Sequence, residues 1–516
     1  MIRNVVRTAL IAALVVAFAA AAADAQTTVK TNKATVTFSG KLSLASVYRS
    51  SEYFTATTGD GTDTNPGGIP FVDRTNGEIV SGSDPNIRDG GNASEWYIDP
   101  ILSLNFAIDV GEKARGVIEI RTPFVNPDAG GKNSSPSTGF FAGFQGRTLE
   151  VKQLYAELNE LFQPGDKEKD SGLMLRAGIM DFRKDLRGDG NAFLIDVSGS
   201  ESPFDSLNGT GSPMRYSAGM ADSQEAAGGY ARYRVSVVDV DAWFFNLDEG
   251  YNAQTNATTG ENARRDLLFW GASTDIYFDT ERRFGKLTLS LFDLMNSSST
   301  NVVTEGIGVV VNPFWTTEVN FLKVWGEVYA QQGTYARNVG TFSKIKQQDA
   351  YAFELGAQGK LQPIAIAENK KFTPYAEVSY VQVSGDKDAE NGTNQNFISL
   401  ENNNRTVVVE NGYYGYDFDT NYRGPRLALG FHLDKFQFEI LYAYFELMRN
   451  SSNRYSGNGT GGNDSNKIGD ELDFTFAYEY SEALKFGYQS GFLFDSHVLG
   501  QLSTTHISLF TIAMEF

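Results

Sequence analysis

Charged side chains recur at every second position of several apolar stretches, and these residues have the types and spacing that could do chemistry. In Leu472–Tyr480, for example, Asp473 and Glu479 alternate with leucine, phenylalanine and tyrosine. Alternate residues of an extended strand point to opposite faces, so the charges would share one face and the apolar side chains the other. A face of arginine, lysine and carboxylate side chains can attract or repel ions and can form salt bridges between strands.

This parity assigns charged residues of both signs to one face of the predicted strands. The basic residues assigned to it are Arg115, Arg121, Arg176, Arg232, Arg234, Lys323, Arg426 and Lys485. The acidic residues are Glu119, Glu157, Asp239, Asp241, Asp275, Glu327, Glu354, Glu439, Asp473 and Glu479. Two further arginines, Arg183 and Arg187, follow Arg176 into a long polar segment. These charges could select solutes in a channel, or they could pair across strands and only keep an interior wet.

Catalytic and metal chemistry have little support in the sequence. There is no cysteine, which excludes disulfides, thiol nucleophiles and thiolate metal sites. Of the three histidines, His506 shares the parity of apolar Phe510, and the spacing indicates no serine–histidine–acid site. Acidic turns such as Gly59–Asp63 lack the ligand spacing of a calcium loop. We therefore predict no catalytic residue, no metal site, no cofactor and no enzymatic activity.

The elements that must position these charges are β-strands. In Thr504–Phe516, Phe510, Ile512 and Met514 alternate with more polar residues up to a final phenylalanine. Such a strand resembles the closing strand of bacterial outer-membrane β-barrels, which the barrel-assembly machinery also recognises. We accordingly assign Phe516 as an assembly signal. The alternative is an ordinary edge strand of a soluble sandwich.

Long and short connections alternate between the strands. Long polar insertions occupy roughly Pro123–Arg147, Arg183–Ala227, Glu249–Arg264, Gly333–Gln348, Gly385–Tyr422 and Arg449–Gly469. Short turns include Thr280–Arg283, Asn312–Pro313, Asp434–Lys435 and Ser481–Ala483. Outer-membrane barrels have short periplasmic turns and longer outer loops, whereas a soluble sandwich has no reason to sort its loops this way.

The predicted fold class is all-β: a transmembrane antiparallel up-and-down β-barrel of about 18 strands, with both termini on the periplasmic side. Sixteen strands are also compatible with the pattern, because Tyr230–Leu247 could form one bent hairpin or two separate strands. A barrel of this size is too wide for side chains to fill, so we expect it to enclose a water channel.

The start of the chain has the features of a secretory signal peptide, residues 1–25. Arg3 and Arg7 precede the apolar run Ala9–Ala23, and a small-x-small pattern precedes the predicted cut. The run is short for a transmembrane helix, and no later stretch is long and apolar enough for one. We predict a single barrel domain over residues 26–516 in the bacterial cell outer membrane.

Composition agrees with this prediction. The formal net charge is −19, which argues against nucleic acid as a partner because that would need a basic face. Aromatic residues make up 13% of the chain and there are 52 glycines. A barrel in lipid needs only every second residue to be apolar, and it carries aromatic girdles at both membrane interfaces.

One segment shows features beyond the alternation and loop pattern common to all outer-membrane barrels. A predicted strand ends in Ser384–Asp386, a long loop with Phe397 and Tyr413–Gly415 follows, and the chain re-enters at Pro425–Leu427. This order resembles the alginate-export family of outer-membrane barrels, in which a strand ending in Ser-Gly-Asp precedes a long loop that contains a phenylalanine.

A second segment is similar to the same family. Gly178–Met180 stands where the family has Gly-Arg-Gln, and Arg183, Arg187 and Gly188–Asp189 are displaced from its Gly-Asp-x-Arg-like turn. The resemblance implies a barrel of about 18 strands with an arginine-lined pore that exports an anionic polysaccharide. This chain has no arginine after Gly178, and its predicted lumen is mixed in charge, so a small-solute porin is also compatible.

We predict a porin-like channel for passive diffusion or export of a hydrophilic solute, with an anionic saccharide among the candidates. The alternative is a structural or adhesive surface barrel that binds divalent cations and lipopolysaccharide without transport. Expected partners are outer-membrane lipid and lipopolysaccharide, the assembly machinery and the solute. An open pore in a planar bilayer would favour the channel, and a barrel without conductance would favour the alternative.

Overall fold

A computed structural model describes residues 27–31, 34–51, 71–73, 78–80, 94–111, 113–121, 150–161, 172–180, 182, 184, 226–248, 267–296, 301–313, 321–339, 342–367, 370–386, 392–398, 405–410, 418, 420–449, 466–496 and 504–516. The predicted signal peptide lies outside these residues, as do Arg183, Arg187 and the side chain of Arg121. Those predictions therefore stay predictions.

Every regular element in the described part of the chain is a β-strand. The strands are β1 (Thr27–Lys30), β2 (Thr35–Ser51), β3 (Phe71–Asp73), β4 (Glu78–Val80), β5 (Ser94–Val110), β6 (Ala114–Arg121), β7 (Glu150–Leu161), β8 (Gly172–Met180), β9 (Ala226–Val235), β10 (Val238–Asp248), β11 (Leu267–Tyr277), β12 (Gly285–Asn296), β13 (Asn301–Val311), β14 (Leu322–Val339), β15 (Phe342–Lys360), β16 (Ile364–Ala367), β17 (Lys370–Val383), β18 (Thr393–Asn394), β19 (Tyr422–Leu433), β20 (Phe436–Leu447), β21 (Lys467–Ser481), β22 (Leu484–Phe494) and β23 (Thr505–Glu515).

Among the described strands, 18 form one closed barrel of antiparallel neighbours. Each barrel strand pairs with the next one along the chain, and β2 pairs with both β5 and β23, which closes the ring. Short β1 and β16 pair antiparallel with the first residues of β2 and β17, β18 lies beside β15, and β3 pairs with β4. The predicted fold class and the count of 18 strands are confirmed.

The last residue extends the closing ladder beyond β23. The Gly40 N–H donates to the Phe516 carbonyl (2.6 Å), and the Phe516 N–H donates to the Gly40 carbonyl (2.9 Å). The Phe516 ring lies where a Cβ on Gly40 would stand, so glycine leaves room for it. These contacts give Phe516 a structural place at the seam, and its role as an assembly signal stays a prediction.

Two details of the predicted connections are now resolved. Tyr230–Leu247 forms two strands, β9 and β10, joined by a two-residue turn in which Ser236 has a φ of 52°. The predicted long insertion Gly333–Gln348 is wrong, because β14 and β15 continue as a paired hairpin to Val339 and Phe342. The apolar alternation in the sequence ends before β14 and β15 do. The hydrogen bonds between the two strands need only backbone groups, so the polar ends of the strands still pair as a hairpin.

The two faces of the barrel differ in polarity. Exposed apolar side chains form an outer belt on successive strands; they include Phe244, Trp270, Leu291, Ile307, Val328, Leu355, Val378, Leu429 and Ile440. The alternate positions carry buried polar groups such as Thr288, Glu327 and Ser379. The described residues contain no helix long and apolar enough to cross a membrane.

Aromatic side chains of the outer face gather at the end with the short turns. The Phe436 ring stacks on Tyr478 (4.4 Å between centroids) and lies 5.8 Å from Phe476, and Tyr478 contacts Tyr480. These rings have the position of an interfacial aromatic girdle. In outer-membrane barrels the short turns lie at the periplasmic end, so we assign this end of the barrel to the periplasmic side.

The backbone conformation at position 178, in β8, requires glycine. Its φ is +135°, and a Cβ there would collide with the Leu154 carbonyl oxygen on the neighbouring strand. We expect Gly178→Ala to destabilise the barrel by about 1–3 kcal/mol, because alanine would be strained in this conformation. Thermal loss of the compact gel form measures this. Gly116→Ala is the matched control, since a Cβ at Gly116 meets nothing within 4 Å; equal losses in both variants would contradict the argument.

Candidate functional site: a loop-narrowed lumen

Two parts of the connection between β17 and β19 lie inside the barrel: residues 392–398 and 405–410, here called the inner loop. Phe397, Val408 and Val409 in this loop have at most 1% of their surface exposed. The polar partners of the inner loop sit on the strand faces opposite the apolar belt, so the loop fills part of the lumen.

The chain turns inward at Ser384. The Ser384 hydroxyl donates to the Gln395 carbonyl (2.7 Å) and accepts from the Tyr351 N–H (2.9 Å). Gly385 follows against the Asn421 side chain, which leaves no space for a Cβ. The Ser-Gly-Asp motif noted in the sequence therefore has a structural role at the entry of the inner loop.

The first part of the inner loop is held by glutamines of the wall. The Gln331 side chain donates to the Ile398 carbonyl (2.8 Å) and accepts from the Ile398 N–H (2.9 Å), as a neighbouring strand would. Gln348 donates to the Asn396 carbonyl (2.8 Å). Because Gln331 lies on β14 and Gln348 on β15, this part is fixed to one side of the barrel.

The second part is held by carboxylates of β21. Glu471 accepts the N–H groups of Val408 and Val409, and Asp473 accepts the N–H of Val407 (3.0 Å). Both acids are fully buried beneath the loop. Three consecutive backbone N–H groups of the inner loop therefore bind the carboxylates of Glu471 and Asp473.

Arg405 ties the loop deeper in the lumen. Its guanidinium binds both oxygens of Glu439 (2.7 and 3.0 Å), and its Nε donates to Glu377 (3.1 Å). The Tyr375 hydroxyl also donates to Glu439 (2.9 Å). Bidentate contacts of this kind fix both position and direction of a guanidinium.

The second part of the inner loop is also held by Arg426 of β19. Its guanidinium contacts Glu410 of the inner loop and lies 3.4 Å from Glu354. The Tyr422 hydroxyl donates to Glu410 (3.0 Å). Burial raises the pKa of the Glu410 carboxyl to about 7, although Arg426 acts in the opposite direction. The inner loop thus contacts strands from β14 round to β21 and narrows the lumen between them.

A second connection also enters the lumen, after β8. Lys184 binds Asp241 (2.6 Å) and Asp275 (3.0 Å) of the wall. Burial lowers the pKa of Lys184, but Asp275 and Asp241 raise it more, so the net pKa lies above the ordinary value. Phe182 packs among inward aromatic side chains; these are Tyr230, Trp243, Phe245 and Phe269, with ring centroids 4.9–6.1 Å away.

The wall arginines are paired, yet the two members of each pair differ in exposure. Arg232 binds Asp241 (2.8 Å) with side-chain exposures of 36% and 0%. Arg234 lies 3.3 Å from Asp239, with exposures of 34% and 3%. The carboxylates are therefore buried against the wall, and the guanidinium groups face the open lumen.

Arg176 follows the same arrangement on β8. It binds Glu157 (2.6 Å) and is more exposed than that partner. Its guanidinium carbon also lies 4.5 Å from the centre of the Tyr155 ring, within the range of a cation–π contact. The arginine is thus held from two sides while it remains accessible to solute.

Other charged residues predicted from sequence whose side chains are described lie at the same inward parity, with individual partners. Arg115 is 3.5 Å from Asp109, Glu119 accepts from Ser103 and Gln153, Glu327 accepts from Tyr329, Lys323 lies over Trp325, and Lys485 is 4.0 Å from Glu479. The structure therefore brings Asp239, Asp241 and Asp275 together with the basic wall residues, and Glu354, Glu439 and Asp473 together beneath the inner loop.

Several functional residues lay beyond the reach of sequence reasoning. Lys184, Arg405 and Glu410 are in polar segments without period, and no local signal marks them as buried. Glu471 and Glu377 sit on inward parity, so alternation was a usable signal for both. The described residues contain no group of acidic and histidine side chains arranged to hold a metal ion.

A closed 18-strand barrel with an apolar belt, a polar interior and a loop inside its lumen defines the class: this is a bacterial outer-membrane β-barrel. No protein-family model matches the chain, and no curated protein matches its sequence. Solved structures that are similar in shape include the Pseudomonas aeruginosa proteins OccK8 (OprE) and OpdQ, which are 10% and 8% identical, with TM-scores of 0.47 and 0.48. Acinetobacter baumannii OccAB4 is 9% identical, with a TM-score of 0.44. Each comparison covers 93% of this chain and 98% of the other.

Proposed function

We propose that the protein is a porin-like channel for passive diffusion of small hydrophilic solutes, with a preference for acidic ones. The observation that carries this proposal is the unequal exposure of the wall ion pairs. Arg232 and Arg234 present guanidinium groups to the lumen, whereas Asp241 and Asp239 are buried behind them. A passing solute therefore meets the cation of each pair first.

The arrangement suits carboxylate-bearing solutes. A guanidinium stays charged at any working pH and forks onto planar anions. Its field is focused in a narrow passage with low-dielectric walls. Anionic saccharides of the alginate type are one candidate class and small organic acids are another, since both carry carboxylates. The resemblance to alginate-export barrels supports the first only through the Ser384–Asp386 motif, which has a structural role here.

A second candidate function is a surface barrel that does not transport solutes. The long polar connections of the sequence are the observation that favours it. It predicts no conductance, so one measurement separates the two. Binding to lipopolysaccharide and recognition by the assembly machinery stay predictions under either function, as does the absence of a cofactor.

The test is the reversal potential of the reconstituted barrel under a salt gradient. In the variant Arg232→Gln/Arg234→Gln, Asp241 keeps its contact with Lys184 and Asp239 keeps Arg282 (2.8 Å), so neither buried acid is orphaned. A unit charge at about 4 Å contributes about 1 kcal/mol in water. We therefore expect the anion-to-cation permeability ratio to fall by about tenfold, with a smaller change in conductance.

Arg423→Gln is the matched control, because Arg423 pairs with Glu446 on the outer face. It removes one cation but should leave the reversal potential almost unchanged. An unchanged reversal potential in the double variant would overturn the preference for acidic solutes. A wild-type barrel that inserts without conducting would overturn the channel itself.

A further inference from the structure

The outer face of β22 and β23 carries a polar cluster beside the apolar side chains of the lipid-facing belt. His506 and Ser508 share the parity of Phe510 on β23, and Ser490 lies opposite Ser508 on β22. Ionisable residues within a membrane span are costly, and they point to function by default. This cluster is separate from the lumen, so its role is independent of the proposed channel.

The geometry is that of a nucleophile beside a base. The His506 Nε2 lies 2.7 Å from the Ser508 Oγ and 2.9 Å from the Ser490 Oγ, and the two hydroxyl oxygens are 3.0 Å apart. A serine activated by a histidine needs a separation of about 2.6–3.2 Å. Ser490 is 97% buried, whereas Ser508 is partly exposed, so Ser508 is the accessible hydroxyl.

Two aromatic rings fix the histidine, and a tyrosine adds a donor. The Phe492 ring is stacked on His506 (4.3 Å, 3°), and Tyr48 meets it edge-on (5.6 Å). The Tyr488 hydroxyl lies 3.4 Å from the Ser508 Oγ. Hydroxyl donors next to a nucleophile can stabilise the oxyanion that forms on its target.

The site lies where acyl esters are found. β23 has 11 residues, and at about 3.3 Å per residue with a tilt of about 40° it covers about the 25 Å apolar band. His506 is at the end that leads into the longer connection to β22, opposite the two-residue turn between β21 and β22. The cluster therefore faces the interfacial zone of the outer leaflet, where acyl chains join their headgroups.

We propose that Ser508 and His506 form a hydrolytic site for acyl esters of outer-leaflet lipids. Ser508 is the nucleophile, His506 is the general base, and the exposed Tyr488 donates a hydrogen bond to the oxyanion, while the buried Ser490 holds His506 in place. This inference departs from the sequence-based prediction of no enzymatic activity, which found no partner for His506.

The reaction balances in two steps. The Ser508 Oγ bonds to the ester carbonyl carbon as its proton passes to the His506 Nε2; the bond to the alcohol oxygen then breaks, and that oxygen takes the proton from His506. In the second step, water gives a proton to His506 and attacks the acyl-serine. Free fatty acid leaves, and the proton returns to the Ser508 Oγ.

The experiment uses the full barrel in vesicles of phosphatidylethanolamine with isotope-labelled acyl chains, and in a second set that contains lipopolysaccharide. Mass spectrometry measures released fatty acid, and the two sets separate phospholipid from lipid A as the ester source. Ser508→Ala and His506→Asn are each expected to lower release at least 100-fold. Tyr488→Phe is expected to lower it about 100-fold, as loss of one oxyanion donor.

A fluorophosphonate probe provides a second readout, which reports the activated serine without a lipid substrate. We expect it to label Ser508 in the wild-type protein, and to label His506→Asn much more slowly. All variants should keep the heat-modifiable gel mobility of the wild type, which shows that they are folded. Absence of both fatty-acid release and labelling from the folded wild-type barrel would overturn the proposal, as would full activity in Ser508→Ala.

Discussion

Replacing Phe474 with arginine is expected to reduce the yield of folded barrel sharply. Phe474 lies near the middle of β21 on the outward parity, and its ring packs edge-on against Phe492 of the same face. A cation at the bilayer midplane costs about 2–4 kcal/mol on the lipid face of a barrel. The ratio of folded to unfolded protein would fall by a factor of about 30 to 1,000.

The neighbouring position gives the matched control. Thr475 lies on the inward parity opposite Glu439, so an arginine at that position would meet water and a carboxylate. Phe476→Arg should lower the yield less than Phe474→Arg, because Phe476 is exposed on the outer face but lies at the aromatic girdle, where a cation costs less than at the midplane. Folding into lipid vesicles with heat-modifiable gel mobility measures all three variants, and equal yields would show that the assignment of faces is wrong.

The parity could be predicted because a barrel imposes one rule on every strand. Leu427 and Leu429 must face lipid, so Arg426, which precedes them on the other parity, must point to the inner side. The same rule placed Asp241 and Glu354 on the inner face without any knowledge of their partners. The rule concerns only nearest neighbours along the chain, so it holds wherever a strand crosses lipid.

The rule fails where the backbone leaves the bilayer. The polar hairpin at the ends of β14 and β15 was expected to be a loop, because apolar alternation disappears from the sequence there.

The inner loop is harder to predict from the sequence. Arg405 meets Glu439 across 34 residues of chain, and Val407 meets Asp473 across 66. Contacts that span such separations depend on the closed barrel and have no local pattern.

The same limit explains the outer polar cluster. The sequence placed His506 on the lipid parity, but Ser490 joins it only through the pairing of β22 with β23. Register between strands decides which side chains meet, and a single sequence gives parity more readily than register.

Removal of the anchors on β21 is expected to open the lumen. In Glu471→Ala/Asp473→Ala, the N–H groups of Val407, Val408 and Val409 lose their acceptors. An unsatisfied buried donor costs about 1–3 kcal/mol, so three of them would favour a hydrated loop that no longer packs on the wall. Because the barrel ladder uses only backbone groups of β21, the strands themselves should remain intact.

Single-channel recording in planar bilayers measures the consequence. We expect conductance to rise severalfold and to fluctuate between levels, because the inner loop occupies the lumen only when it is anchored. Thr475→Ala on the same inward face is the control and should conduct as the wild type does. A deletion of residues 392–410 sets the upper limit for an unobstructed barrel. If the double variant kept wild-type conductance while that deletion raised it, the remaining contacts of Arg405, Glu410 and the wall glutamines would hold the loop, and the β21 carboxylates would not be its anchor.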